Sequence, residues 1–170
     1  MGVVWRAHDI GLDREVAVKE LRLPDHLDEE ERRIRYARME REAKAAARLR
    51  HPGIVTVYDR VIGDDGRPWI VMELVQGASL AELLRDDEDG RLPVSRVARI
   101  GLRMVDALAA AHELGVVHRD IKPANVLLEG DDRVVLTDFG IAALDGDATL
   151  TRSGTILGTP AFMSPEQVRG

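Results

Sequence analysis

The stretch that most narrows what this chain can fold into is His118 to Asn125, His-Arg-Asp-Ile-Lys-Pro-Ala-Asn, with Asp138-Phe139-Gly140 following after one short hairpin. It lies between a helix-length segment with an apolar face and a short apolar run, Val126-Leu127-Leu128, so its polar residues fall in a loop positioned by rigid neighbours. A second run, Val134 to Thr137, is joined to the first by Glu129-Gly130-Asp131-Asp132-Arg133, whose Gly and Asp residues suit a turn. Pairing 128 with 134 and 126 with 136 sets Asn125 opposite Thr137 and brings Asp138 beside Asn125. Two hard oxygen donors at one hairpin end suit Mg²⁺, which takes few protein oxygens and leaves its other positions to water and phosphate. Asp120, five residues before Asn125, is a separate carboxylate able to accept a hydroxyl proton.

A lone His-Arg-Asp is weak evidence. Here His118-Arg119-Asp120 is joined by Lys122 and Asn125, then Asp138-Phe139-Gly140, then Ser164-Pro165-Glu166, and motifs in this order and at these spacings resemble the protein kinase family. The wording Met-Ser-Pro-Glu-Gln most resembles the eukaryotic-like (Hanks-type) serine/threonine kinases of bacteria. The resemblance implies an α+β, two-lobed fold: an antiparallel small lobe over 1–75 and the first part of a mainly helical larger lobe over 76–170, with a nucleotide between them. It departs from the family in two places. Gly2 and Val4 match only the last glycine and the valine of the glycine-rich loop, and Ser164 stands where the family usually has Ala.

With 170 residues the chain can bury one real core but not two ordinary domains. Its net charge of -6 argues against nucleic acid as a partner, because phosphate backbones need a basic surface. There is no cysteine, which excludes disulfides and thiolate metal sites, and the five histidines form no close pair with zinc spacing. No apolar run reaches spanning length, so the expectation is a cytoplasmic chain whose longer parent could be membrane-anchored outside this window.

From its start the chain reads as a strand over residues 1–7, a turn at Gly11-Leu12-Asp13-Arg14, and a strand over Glu15 to Lys19. A helix from Asp28 to Arg50, with Glu29/Arg33 and Glu31/Arg35 at i,i+4, stops at His51-Pro52-Gly53. Its apolar stripe, Met39, Ala43, Ala46 and Leu49, also carries Glu42; a carboxylate facing a core needs a cation, and Lys19 is the candidate. Strands over Ile54–Asp59 and Trp69–Glu73 complete a small sheet, and Gly77 suits a hinge. Ser79 and Glu82 form a capping box, the acidic run from Asp86 to Asp89 is a solvated loop, and a helix over 94–114 places Val97, Ile100, Met104, Leu108 and Ala111 on one face. Residues 141–158 lack regular pattern but hold Thr149, Thr151, Ser153 and Thr155, a length and hydroxyl content that suit a functional loop.

The resemblance assigns roles to these residues. Ala17 covers the adenine of ATP, Val4 and Leu127 are further nucleotide-binding positions, and Lys19 binds the α- and β-phosphates with Glu42 as its ion-pair partner. Met72 guards the back of the pocket, and Glu73 and Val75 offer backbone groups to the adenine edge. Asn125 and Asp138 hold Mg²⁺, Asp120 aligns or accepts the hydroxyl proton, and Lys122 marks serine/threonine specificity. Thr159 positions substrate, and Thr151 and Ser153, with Thr149 and Thr155 as alternates, are phosphorylation candidates beside Arg119. His118 and Phe139 are packing residues. Protein substrates with Ser or Thr, and a kinase–kinase dimer of the parent, are the implied partners.

Three rival readings stand beside this one. A small-molecule phosphotransferase shares the Asp120-to-Asn125 spacing and a later metal-binding Asp, but Phe139-Gly140 and Ser164-Pro165-Glu166 count against it. A pseudokinase acting as a binding module is favoured only by the missing glycines. The third is a non-functional fragment, and the expectation is that these 170 residues alone, a kinase domain truncated at both ends, are poorly soluble and inactive.

Overall fold

The structure is a computed structural model that describes residues 3–21, 23, 26–64, 66–87, 89–130, 133–139 and 160–169. Gly2, Gly140, Thr149, Thr151, Ser153, Thr155 and Thr159 lie outside the described residues.

Alternation and β-branched content produce β1 (Val4–Asp9) and β2 (Arg14–Glu20), an antiparallel hairpin whose turn is stapled by the Leu12 N–H donating to Asp9 Oδ1 at 3.2 Å. With β3 (Val57–Ile62) and β4 (Pro68–Glu73) they form a four-stranded antiparallel sheet in the order β1-β2-β4-β3. Strand β3 begins three residues later than the sequence suggests, because Ile54 and Val55 are used elsewhere. Ile54 bridges to Leu136 in parallel, the Val55 N–H donates to the Leu136 carbonyl at 2.9 Å, and the Leu136 N–H donates to the Gly53 carbonyl at 2.8 Å. These contacts join the small sheet to the second one.

Helix α1 (Glu29–Ala46) opens on a capping box in which Asp28 and Glu31 satisfy each other's backbone N–H. That use of Glu31, and a bond from Arg33 to Glu30 at 2.7 Å, replace the expected pairs at i,i+4. Met39, Ala43, Ala46 and Leu49 are buried as expected.

The second sheet is antiparallel, β5 (Ala78–Ser79), β6 (Val126–Glu129) and β7 (Arg133–Leu136) in that order, with Val126 opposite Leu136 and Leu128 opposite Val134. Against it lie α2 (Leu80–Asp86), capped by Ser79 and Glu82, and α3 (Val94–Glu113), which buries Ile100, Ala107 and Ala111. Val97, expected on that face, is 53% exposed: it lies one turn before Ile100, and the described residues leave that turn open. One apolar core runs through both layers, from Leu21, Met39 and Ile70 to Ile100, Leu136 and Phe139. Among the described residues no helix is long and apolar enough to cross a membrane.

Gly77 is needed for a reason other than turn freedom. A Cβ there would lie 1.9 Å from the Leu128 carbonyl oxygen, so only glycine lets the segment before β5 pass against β6. Gly101, inside α3, has open space where its Cβ would go. The same substitution should therefore act in opposite directions at the two sites. Gly77→Ala is expected to destabilise by roughly 1–3 kcal/mol, as overpacking against backbone does, whereas Gly101→Ala should stabilise by about 0.5–1 kcal/mol through helix propensity. Denaturant unfolding of the two variants measures both signs; equal effects would contradict this packing.

Candidate active site

The loop after α3 reaches β6 through a 3₁₀ turn, Pro123–Asn125, with proline where a missing N–H costs nothing. The turn buries Asn125 and points its amide back along the loop: Nδ2 donates to the Asp120 carbonyl at 2.8 Å and to Asp120 Oδ2 at 3.0 Å. Its Oδ1 makes no hydrogen bond among the described residues and is available to a cation. Lys122 Nζ lies 2.6 Å from the same Asp120 Oδ2, so one carboxylate oxygen is held by an amide and an ammonium. Asp120, Lys122 and Asn125 thus form one connected unit within six residues of chain.

Strand β7 delivers Asp138 to the same end of the hairpin, since the Thr137 N–H donates to the Asn125 carbonyl at 3.0 Å. Asp138 has φ 66° and Arg119 φ 67°, left-handed conformations that cost a non-glycine residue about 1–2 kcal/mol each. Both are held by specific contacts. Asp138 Oδ1 lies 2.7 Å from Lys19 Nζ, with the two side chains only 23% and 13% exposed, and the Arg119 carbonyl accepts from Gln167 Nε2 at 2.7 Å. Gln167 belongs to α4 (Pro165–Arg169), whose start is closed by Ser164: the Ser164 N–H donates to Gln167 Oε1 at 3.0 Å and the Gln167 N–H to Ser164 Oγ at 3.4 Å. The serine that departs from the family's usual alanine serves here as a helix cap.

One expected pair is not made. Lys19 is taken by Asp138, and Glu42 turns instead to Arg38 at 3.3 Å and to Arg119 at 3.8 Å. Glu42 Oε2 is buried without a hydrogen-bond partner among the described residues, and burial pushes this carboxyl above its usual range against the pull of Arg38. The stripe reading located Glu42 correctly near the core, but two nearby guanidiniums outcompeted the lysine, which had a nearer carboxylate.

A second buried cluster lines the face toward Lys19: Ala17, Val55, Met72 and Val135, with Leu74, Val75 and Leu127 packed beside them. Of the expected pocket residues, Ala17, Met72, Val75 and Leu127 are gathered here. Val4 is opposite Lys19 in the β1–β2 register and is 54% exposed, away from this cluster. Val55 and Val135 complete this buried cluster; the sequence did not single them out, because apolar strand residues carry no signal beyond core packing. Glu73 contributes more than backbone: its carboxylate pairs with Arg133 and accepts from the Thr56 N–H at 3.2 Å.

The site can therefore present a carboxylate and an amide oxygen to a divalent cation, a lysine to an anion, and Asp120 with Lys122 to a hydroxyl and the group it receives. The donor set fits Mg²⁺ with a polyphosphate, since that ion is ordinarily held by one or two carboxylates plus substrate oxygens.

His118 ties the loop before β6 to the end of β7. Nε2–H donates to the Thr137 carbonyl at 2.9 Å, Nδ1 accepts from the Asp120 N–H at 3.3 Å, and the ring packs 4.5 Å from that of Phe139. The Nδ1 bond needs the neutral imidazole, whereas the Nε2–H bond is open to either form; burial lowers the pKa from its ordinary value, opposed by the Thr137 bond and by Asp120 and Asp138. A histidine pKa depressed by folding contributes stability that is complete above the unfolded value and lost as pH falls through the folded one. Taking pH from 7.5 to 5.5 should therefore lower stability through this residue. Chemical denaturation at the two pH values should show a smaller acid loss in His118→Asn than in the unmutated protein; identical losses would assign the acid sensitivity elsewhere.

Comparison with known proteins agrees with this geometry. The family model of the protein kinase domain matches residues 1–170. The serine/threonine-protein kinase PknL of Mycobacterium bovis is 44% identical over 167 residues, 98% of this chain and 40% of its own length. The probable serine/threonine-protein kinase SCO3848 of Streptomyces coelicolor is 43% identical over 175 residues, 100% of this chain and 25% of its own. The chain thus spans well under half the length of these relatives. The crystal structure of the Mycobacterium tuberculosis PknI kinase domain superposes with TM-score 0.73 at 38% identity, over 84% of this chain and 55% of that one. By its sequence, its antiparallel small lobe and its superposition on a solved kinase domain, this chain belongs to the protein kinase family, of whose catalytic domain it is a part.

Proposed function

We propose that the protein transfers the γ-phosphoryl group of ATP to serine or threonine hydroxyls of proteins. The observation that carries this reading is the convergence of Lys19, Asp120, Lys122, Asn125 and Asp138 at one end of the β6–β7 hairpin. The nucleotide would lie between a small lobe over 1–75 and a larger lobe beginning at 76, with its adenine against Ala17, Met72 and Leu127. Asn125 and Asp138 would hold Mg²⁺, which supplies charge neutralisation to the phosphates when bound. Lys19 exchanges its present partner, Asp138, for the α- and β-phosphates. Asp120 is set to orient the acceptor hydroxyl and take its proton, and Lys122, already on Asp120 Oδ2, neutralises charge on the phosphoryl group as it moves. The relatives' names support serine/threonine specificity, as does Lys122. Thr159 is assigned to substrate positioning by its family match alone.

Regulation by the loop after Phe139 follows from Arg119. Its guanidinium lies 3.8 Å from Glu42, and a phosphate on Thr151 or Ser153 would offer it a stronger, doubly charged partner. Glu42 would then be free to take Lys19 as Asp138 turns to the metal.

Asp138→Asn and Lys19→Met should nearly abolish ATP-dependent labelling of a generic basic protein. Asp120→Asn should slow it by roughly 10²- to 10⁴-fold, the range for removing a positioned acid or base. The unmutated rate in any of these variants would remove the role given to that residue.

The loop makes a separate prediction. Mass spectrometry after incubation with ATP and Mg²⁺ should find phosphate on Thr151 or Ser153, with Thr149 and Thr155 as alternates, and Thr151→Ala/Ser153→Ala should lose activation. Full activity in that double variant would contradict the regulatory part alone.

A further inference from the structure

The segment between β4 and β5, Leu74 to Gly77, has no regular backbone pairing of its own, yet it must present Glu73 and Val75 to the adenine edge if the nucleotide reading holds. The β6–β7 hairpin grips it from three positions. Arg133 pairs through Nη2 with Glu73 Oε1 and through Nη1 with Glu129 Oε2, the latter at 2.7 Å. Glu129 Oε1 accepts from the Gln76 N–H at 2.8 Å, and Gly77 lies so close to the Leu128 carbonyl that no side chain fits between them. The second Glu73 oxygen accepts from the Thr56 N–H on the small-lobe side.

We propose that Arg133 and Glu129 form a clasp that sets the position of the adenine-binding hinge, so that Arg133 is a positioning residue for the nucleotide base. The fork geometry of arginine suits this role, because one planar guanidinium reaches two carboxylates at once, which a lysine cannot reproduce. Glu129 in turn binds Arg133 with one oxygen and the Gln76 backbone with the other, so the chain of contacts runs unbroken from β7 to both ends of the hinge. Arg133 holds Glu129 below the usual carboxylate range, which keeps it an acceptor for the Gln76 N–H.

The clasp acts on one end of the site only. Asn125 and Asp138 lie at the opposite end of the same hairpin and are fixed independently by Asp120, Lys19 and the His118–Thr137 bond. Releasing the hinge should therefore weaken recognition of the base and leave the phosphate end intact. A general loosening of the fold would weaken both.

This inference rests on the nucleotide reading of the site, and binding measurements separate the two. Titration calorimetry of the protein with adenosine, and separately with inorganic triphosphate plus Mg²⁺, would be compared across the unmutated protein, Arg133→Ala, Arg133→Lys and Glu129→Gln. Adenosine affinity is expected to fall about 5- to 10-fold in Arg133→Ala, equivalent to losing about one charge-assisted contact, with a partial loss in Arg133→Lys and Glu129→Gln. Triphosphate affinity should stay within about 2-fold. Should Arg133→Ala fail to fold, the two milder variants carry the comparison. Equal losses for both ligands, or unchanged adenosine affinity, overturn the clasp alone; absence of adenosine binding by the unmutated protein overturns the nucleotide reading and the clasp with it.

Discussion

The contact between Lys19 and Asp138 holds this site in its present form. It joins the middle of the small sheet to the residue just past β7, at 2.7 Å and largely out of water, where an ion pair is stronger than on the surface. Three other features depend on it. Asp138 keeps a left-handed backbone that would otherwise be unfavourable, Glu42 is left to Arg38 and Arg119, and a lysine that would lose solvation near the apolar cluster keeps a counter-charge. Each group in the pair is also one that the proposed chemistry would redirect, the lysine to phosphate and the carboxylate to metal. Under that proposal the charges would be satisfied in two alternative ways, one within the protein and one with the nucleotide.

Around that contact the β6–β7 hairpin acts as the common reference. Its one end carries Asn125 and leads to Asp138, its other end carries Glu129 and Arg133, and its strands are buried between α3 and the small lobe. A hairpin of two four-residue strands flanked by core on both sides transmits little error from one end to the other, because close-packed strands have few alternative arrangements. His118 adds a cross-tie from the loop to Thr137, so that loop and the end of β7 are set against each other by hydrogen bonds, not by packing alone.

Much of this was legible in the sequence, and the misses follow a physical pattern. The hairpin register was fixed by alternation and by the Gly/Asp turn, so the meeting of Asn125 and Asp138 followed directly. The capping box at Ser79 announced a helix start because its chemistry is local, and the one at Asp28, where the sequence began its helix, emerged with the structure. What could not be read was competition among long side chains. Lys19 had two carboxylates to choose from and Glu42 three cations, and sequence spacing does not say which is nearer. The same holds for Arg133, 60 residues from Glu73 and joined to it only by the fold. Gly77 was read as suiting a hinge because glycine accommodates a turn; its lack of a side chain also serves close backbone approach to Leu128, which no local pattern encodes. Ile54 and Val55 read as strand by composition but were drawn out of the ladder by the bridge to Leu136.

Lys19 and Asp138, in contact at 2.7 Å, should be energetically coupled across the two lobes. A double-mutant cycle with Lys19→Met and Asp138→Asn, read as unfolding free energy without nucleotide, measures that coupling directly. The two losses are expected to be non-additive, with a coupling of about 1–3 kcal/mol in favour of the pair. Losses that add to within about 0.3 kcal/mol would show that the two residues act independently and would contradict it.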